Sequence, residues 1–171
     1  MAIDTSKVIG NCIQEVRYSE VNNRNGPFYF DGFDVVDCGV WFRMDNGHVW
    51  SFRWTDDEIF ELVAGAKEHA EILEDDKVKT WDASAQWTRY RDQPVQAVRI
   101  SFFDEAAGLV ERCVIAFEDG SEVSLVITEG LGPNEVRPVS SAYAMGGSLY
   151  VIYDQRLLED IDANRRDEDA E

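Results

Sequence analysis

Ile13-Gln14-Glu15-Val16-Arg17-Tyr18 returns later in the chain as Val95-Gln96-Ala97-Val98-Arg99-Ile100. Working outward, Tyr29-Phe30-Asp31 returns as Phe102-Phe103-Asp104, and Asn46-Gly47 returns as Asp119-Gly120. Trp54-Thr55-Asp56 matches Ile127-Thr128-Glu129, and Trp81-Asp82 matches Tyr153-Asp154. A self-similar chain of this kind reads as a tandem duplication of one β-rich unit, in which each copy checks the strands of the other. The first block repeats at an offset of 82 and the region around residues 30–55 at 73, so copy one carries nine extra residues. They fall at residues 19–27 (Ser-Glu-Val-Asn-Asn-Arg-Asn-Gly-Pro), whose turn chemistry reads as an inserted surface loop.

Both copies carry a hairpin signal. Asn-Gly and Asp-Gly between apolar runs supply the positive φ that a two-residue type I′ turn needs. Taking Asn46-Gly47 as that loop pairs Arg43 with Trp50 and Trp41 with Phe52, which puts Trp41, Trp50, Phe52 and Trp54 on one face. In copy two the same face carries Val114, Ala116, Val123, Leu125 and Ile127. These positions stay apolar while changing identity, so the tryptophans read as core and not as a stacking platform. Cys113 aligns with Val40 and reads as a small core residue.

After the first hairpin, Thr55-Asp56-Asp57-Glu58 forms a capping box, and Ile59, Val63, Ala66, Ala70 and Leu73 follow at helical spacing. This predicts an amphipathic helix over residues 56–73. In copy two, Gly130, Gly132 and Pro133 replace it with an irregular loop. Each copy closes on a strand, at residues 77–81 and 149–153, and a helical turn or two follows over residues 154–161. The expected fold class is α+β: mainly antiparallel β built from two tandem pseudo-symmetric repeats, either barrel-like or as two packed sheets, with one amphipathic helix. Residues 1–161 form a single compact domain of repeat one (4–81) and repeat two (82–154), and residues 162–171 form a charged tail.

Charge is the second strong feature. Sixteen Lys and Arg stand against 34 Asp and Glu, a net charge of −18. Such a field repels nucleic acid and anionic membrane and attracts a basic partner. No apolar run is long enough to span a bilayer, and the first residues lack the basic-then-apolar pattern of a secretory signal. The three cysteines, Cys12, Cys38 and Cys113, show no CxxC spacing and read as reduced thiols, which points to the cytoplasm.

A search for chemistry returns no catalytic, metal or cofactor constellation. The two histidines, His48 and His69, share no ligand spacing. No nucleophile elbow, phosphate-cradling glycine loop or dinucleotide fingerprint occurs. Asp31 and Asp104 recur after an aromatic pair and read as turn caps, with an acid/base or metal pair as the alternative. Arg17 and Arg99 recur as well and are candidate ion-pair partners for those aspartates.

The predicted helix is acidic at both ends. Asp56, Asp57 and Glu58 complement the dipole at its start, with Glu61 extending the acidic patch, whereas Glu74, Asp75 and Asp76 oppose it at its end. Those seven carboxylates are therefore the candidate partner-binding residues.

Asp4-Thr5-Ser6, leading through Ile9-Gly10-Asn11-Cys12-Ile13 to an Asn-Gly hairpin, resembles small acidic β-rich bacterial proteins of the toxin-immunity type. The resemblance implies a cytoplasmic inhibitor that occludes a toxin's active site and has no chemistry of its own. Copy two departs from the pattern, with a longer lead-in at Asp82-Ala83-Ser84 and no helix, so the resemblance assigns no site residue. The functional expectation is a non-catalytic acidic protein that docks a basic protein partner. The alternative is a small-molecule-binding or enzymatic β-barrel with a site between the repeats, and a mimic of nucleic-acid charge is a third reading. The sequence leaves the oligomeric state open.

Overall fold

A computed structural model gives the fold and describes residues 5–21, 26–54, 60–64, 78–104, 106, 109–129, 137–138 and 148–159. Among the described residues twelve strands follow one another: β1 (Ile13–Val21), β2 (Phe28–Phe30), β3 (Phe33–Val36), β4 (Gly39–Met44), β5 (Val49–Trp54), β6 (Phe60–Ala64), β7 (Val78–Asp82), β8 (Val95–Asp104), β9 (Leu109–Phe117), β10 (Glu122–Glu129), β11 (Arg137–Pro138) and β12 (Ser148–Ile152). A short helix, α1 (Thr88–Arg91), lies between β7 and β8, and a second, α2, covers residues 155–159.

The strands form two open antiparallel sheets. One has the order β6-β5-β4-β1-β7, and the other the order β2-β3-β12-β10-β9-β8 with β11 added to β10. Of the two architectures expected, packed sheets hold, and neither path closes into a barrel. The inner faces share one core that includes Ile13, Val16, Tyr18, Phe42, Trp50 and Phe52 from the first sheet and Cys113, Ile115, Phe117, Leu125 and Leu149 from the second. On the outer face of the second sheet, Phe33, Val35, Tyr150 and Ile152 form a smaller cluster that Leu157 and Leu158 of α2 pack against.

The hairpin registers differ from the two-residue reading by one position, in both places and for one reason. Met44 N donates to His48 O and Phe117 N donates to Ser121 O, so each loop has three residues and ends in a left-handed glycine, Gly47 (φ 79°) or Gly120 (φ 83°). This is a type I turn closed by a glycine bulge, and the extra residue shifts every pair by one. Phe42 then faces Trp50 and Val40 faces Phe52, while Trp41 faces Ser51. In the other hairpin Ile115 faces Val123 and Cys113 faces Leu125. A one-residue slip moves side chains to the opposite face. The core therefore takes Val40, Phe42, Trp50 and Phe52, with Trp41 on the outer face, and Cys113, Ile115 and Phe117 replace Val114 and Ala116.

The predicted helix over residues 56–73 is corrected where it is described, because residues 60–64 form β6. Phe60-Glu61-Leu62-Val63-Ala64 pairs with β5 from Trp54↔Phe60 to Trp50↔Ala64. The β-branched and aromatic residues of that run suit a strand, and pairing satisfies the backbone edge of β5, which outweighs local helix propensity. The other residues of the predicted helix lie outside the described residues.

The expected surface loop at residues 19–27 is also corrected at its start. Ser19, Glu20 and Val21 belong to β1 and pair with Thr80, Lys79 and Val78 of β7. Ser19 and Glu20 are buried there.

Candidate functional site

Gln14 and Gln96 are the outer residues of matching bulges, since the register shifts between Ile13 and Glu15 in β1 and between Val95 and Ala97 in β8. The bulge keeps Ile13, Val16 and Tyr18 on the inner face despite their uneven spacing. Tyr18 is thereby delivered to the space between the sheets. Asp34 arrives from β3, because Phe33 and Val35 take the outer face and leave Asp34 and Val36 pointing inward.

There the Tyr18 hydroxyl donates to Asp34 Oδ2 at 2.6 Å, and the Tyr153 hydroxyl donates to the same oxygen at 2.7 Å. The two phenol oxygens lie 2.8 Å apart, and Trp87 Nε1 donates to the Tyr18 oxygen at 2.9 Å. Asp34 is only 2% exposed. Burial raises its carboxyl above the usual range, against the lowering effect of the two phenols. Burial raises the Tyr18 and Tyr153 phenols as well, with the Asp34 carboxylate adding to the effect. Both phenols therefore stay protonated and act as donors. The cluster joins the sheets, with Tyr18 from one and Asp34 from the other.

A half-exposed tyrosine flanks this buried center. Tyr29, opposite Asp34 in β2, is half-exposed, and its ring centroid lies 6.5 Å from that of Tyr18. Trp81 is the cross-strand neighbour of Tyr18, and Lys79 is that of Glu20. Lys79 Nζ sits 4.4 Å from the Trp81 ring centroid. Glu20, almost fully buried, accepts the Asp37 backbone N–H at 3.2 Å. Burial raises the Tyr29 phenol first, and the carboxylates Asp34, Glu20 and Asp82 raise it further. The edge between β7 and β2 thus combines aromatic faces, carboxylates and one resident ammonium.

On the outer face of the first sheet lies a polar cleft of about 490 Å³ lined by Gln14, Glu15, Arg43, Asp82, Ser84, Arg91 and Asp92. Glu15 bridges Arg17 at 2.6 Å and Arg43 at 3.0 Å, and both guanidinium groups lie over the Trp41 ring, at 5.4 and 5.5 Å. Outward-facing Trp41 is thus sealed at 2% exposure by arginines, an arrangement that keeps an apolar ring from water. Among the described residues no group of three or more His, Cys, Asp or Glu is placed to hold a metal ion. No helix among them is long and apolar enough to cross a membrane.

Of the seven carboxylates singled out from sequence, Glu61 lies in β6 opposite Arg53. Asp56, Asp57, Glu58, Glu74, Asp75 and Asp76 lie outside the described residues. Asp31 is exposed in the turn between β2 and β3, as a turn residue would be. Asp104 ends β8, and its side chain lies outside the described residues. The expected arginine partners are corrected: Arg17 pairs with Glu15, and Arg99 pairs with Glu122. Cross-strand or same-face carboxylates are simply nearer than the turn aspartates. His48 follows its turn, with its backbone N–H on Asn46 Oδ1, and His69 lies outside the described residues. All three cysteines are free, with Cys113 buried and Cys12 and Cys38 half-buried.

Sequence reasoning passed over Asp34, Glu20 and Tyr153. The available signal was Asp34 itself, a carboxylate set among Phe33, Val35 and Val36 in a run that otherwise reads as buried strand. Compared with protein-family models, curated proteins and solved structures, the chain finds no match in any of the three.

Proposed function

We propose that this is a non-catalytic acidic binding protein that docks a basic protein partner, in the manner of an immunity-type inhibitor held in the cytoplasm. The observation that carries the reading is the excess of 34 acidic over 16 basic residues, a net charge of −18. A field of that size raises the encounter rate with a cationic surface and penalises nucleic acid and anionic lipid. Asp56, Asp57, Glu58, Glu61, Glu74, Asp75 and Asp76 remain the proposed docking carboxylates. They lie in β6 and in the sequence on either side of it, between β5 and β7 of the first sheet. The test is co-purification of the full chain from the cells that make it. A stoichiometric basic protein retained at low salt and released at high salt supports the reading. Recovery of the chain alone at low salt overturns it.

The location of Asp34 favours a second reading, a small-molecule or enzymatic site between the two halves of the chain. Asp34 lies between the sheets, and its carboxyl is raised by burial. Against this, its Oδ2 is already taken up by Tyr18 and Tyr153. A small molecule that protects the Tyr18 and Tyr153 resonances in a fragment screen by NMR would favour this reading over docking.

A further inference from the structure

The edge between β7 and β2 carries a feature that overall charge does not require. Tyr29 is 47% exposed, a large ring left half in water on the shortest described strand of its sheet apart from β11. It stands opposite Asp34 in register and beside Tyr18. Trp81 adjoins Tyr18 from β7 and already receives a cation, the Lys79 ammonium 4.4 Å from its centroid. Glu20 is buried on the same face as Lys79, its cross-strand neighbour. Aromatic faces backed by carboxylates attract ammonium and guanidinium groups, and the attraction strengthens as water is removed. The patch is therefore complementary to a cation and poorly suited to an apolar or anionic guest.

We infer that Tyr29 and Trp81, backed by Asp34 and Glu20, form a receptor for an arginine or lysine side chain of the basic partner, and that Lys79 occupies it in the free protein. This rests on the docking reading above and names the place where a partner's side chain inserts. On binding, the incoming cation takes the ring faces and the Lys79 ammonium moves out to solvent, which its long flexible stem allows at little cost. Tyr29 stacks on the incoming group while its hydroxyl stays in water. The charge inside the receptor is unchanged by the exchange, so the gain comes from the second ring and from contacts of the partner around it.

The experiment titrates hexa-arginine amide into the full chain by calorimetry, at low and at high salt. Wild type is expected to bind at low salt and to weaken as salt rises. Tyr29→Leu, which leaves the net charge unchanged, is expected to weaken binding by about three- to thirtyfold. Tyr29→Phe keeps the ring and is expected to retain the affinity, which separates loss of the aromatic face from misfolding. Lys79→Met is expected to bind more tightly than Lys7→Met, a change of equal charge at exposed Lys7. Equal affinity of wild type and Tyr29→Leu overturns the receptor and leaves the docking reading intact. Equal affinity of Lys79→Met and Lys7→Met overturns the exchange. No binding of hexa-arginine by wild type at low salt overturns both the receptor and the docking reading.

Discussion

The phenol oxygens of Tyr18 and Tyr153 stand 2.8 Å apart while both contact one oxygen, Asp34 Oδ2, at 2.6 and 2.7 Å. Three oxygens at mutual hydrogen-bond distance have three edges to fill. With an ionised carboxylate the two phenols supply two protons, and one edge is left with lone pairs facing each other. Both phenols donate to that one oxygen, and these two bonds favour the ionised carboxyl. Burial opposes them by favouring the neutral carboxyl, and it is the larger effect.

A pH dependence follows from the direction of this shift. The unfolded carboxyl gives up its proton near the ordinary value of about 4, and the folded one keeps it to higher pH. The folded state therefore binds more protons in the window above that value. In this window Asp34 makes stability fall as pH rises, until its folded pKa is passed. Asp34→Asn cannot ionise and escapes the loss. The melting temperature of Asp34→Asn minus that of wild type is expected to rise as pH is raised from about 4 toward 7. A difference that stays constant with pH would show that Asp34 ionises alike in both states. Asp34→Ala is expected to cost about 1–3 kcal/mol near pH 4, since it takes the shared acceptor from two phenol hydroxyls, and less as pH rises, since it too cannot ionise.

The hairpin geometry makes a second prediction, at two glycines with different constraints. Gly47 has φ 79° and open space where a Cβ would stand, so Gly47→Ala carries only backbone strain of about 1–2 kcal/mol. Gly39 has ordinary dihedrals, but a Cβ there would lie 2.6 Å from the Arg53 Cβ and 2.9 Å from its Cα. Gly39→Ala must push β4 away from β5 and is expected to cost about 1–3 kcal/mol. The two are told apart in the crystal or by NMR. The first leaves the Val40↔Phe52 pairing in place, and the second disturbs it. An undisturbed pairing in Gly39→Ala would sink the steric account.

How much of this was legible in the sequence depends on which forces set each feature. The strands of the two hairpins, and β7 and β12, follow from local alternation and turn residues, and they stand where these put them. The register did not follow, because Asn-Gly and Asp-Gly serve a two-residue turn and a three-residue bulged turn equally well. The choice between those turns decides whether Trp41 or Phe42 faces the core. The strand β6 was hidden because Ile59, Val63 and Ala66 also fit a helix, and only the unpaired edge of β5 selects the strand. In one sheet β1, β4 and β5 lie side by side and in the other β8, β9 and β10 do, but the chain leaves the first sheet for β2 and β3 between β1 and β4. β7 joins at β1, whereas β12 joins at β10. Asp34 was missed because attention to repeated residues passes over one that occurs once. Tyr18, Asp34, Tyr153 and Trp87 come from four separate segments, and nothing in their spacing announces that they meet.

Thiol chemistry offers a third prediction. Burial pushes the Cys113 thiol up to about 12, and the residue lies in the shared core. Only thiolate reacts with an alkylating agent, so native Cys113 is expected to stay unmodified by iodoacetamide near pH 8 and to react fully once the chain is unfolded. Cys12 is half-buried and is raised by burial first, then by the nearby Asp45 carboxylate. It is expected to react slowly, and faster in an Asp45→Asn variant. Mass spectrometry of peptides from native and denatured samples reads both outcomes. Modification of Cys113 in the native protein at the rate seen in the unfolded chain would contradict the shared core.

Ser84 makes the last prediction, because it links the outer cleft to the core. Its Oγ accepts the Val16 backbone N–H at 3.1 Å and turns its own proton toward Val16 O at 3.4 Å, both in a buried setting. Its backbone N–H donates to Asp82 Oδ1 at 2.9 Å. Bonds from Ser84, and after them the nearby Arg17 and Arg91 charges, hold the Asp82 carboxyl below its usual range. Ser84→Ala removes the hydroxyl that accepts a buried N–H beside the β1 bulge and is expected to cost about 1–3 kcal/mol. Asp82→Asn keeps an acceptor at an exposed position and is expected to cost well under about 1 kcal/mol near neutral pH. Since the Asp82 pKa is lowered on folding, its contribution is present above the unfolded value and is lost as pH falls through the folded one. Chemical denaturation of both variants at pH 7 checks the order. Should Asp82→Asn prove as costly as Ser84→Ala, the turn, and not the buried Val16 amide, would be what fixes β7 against β1.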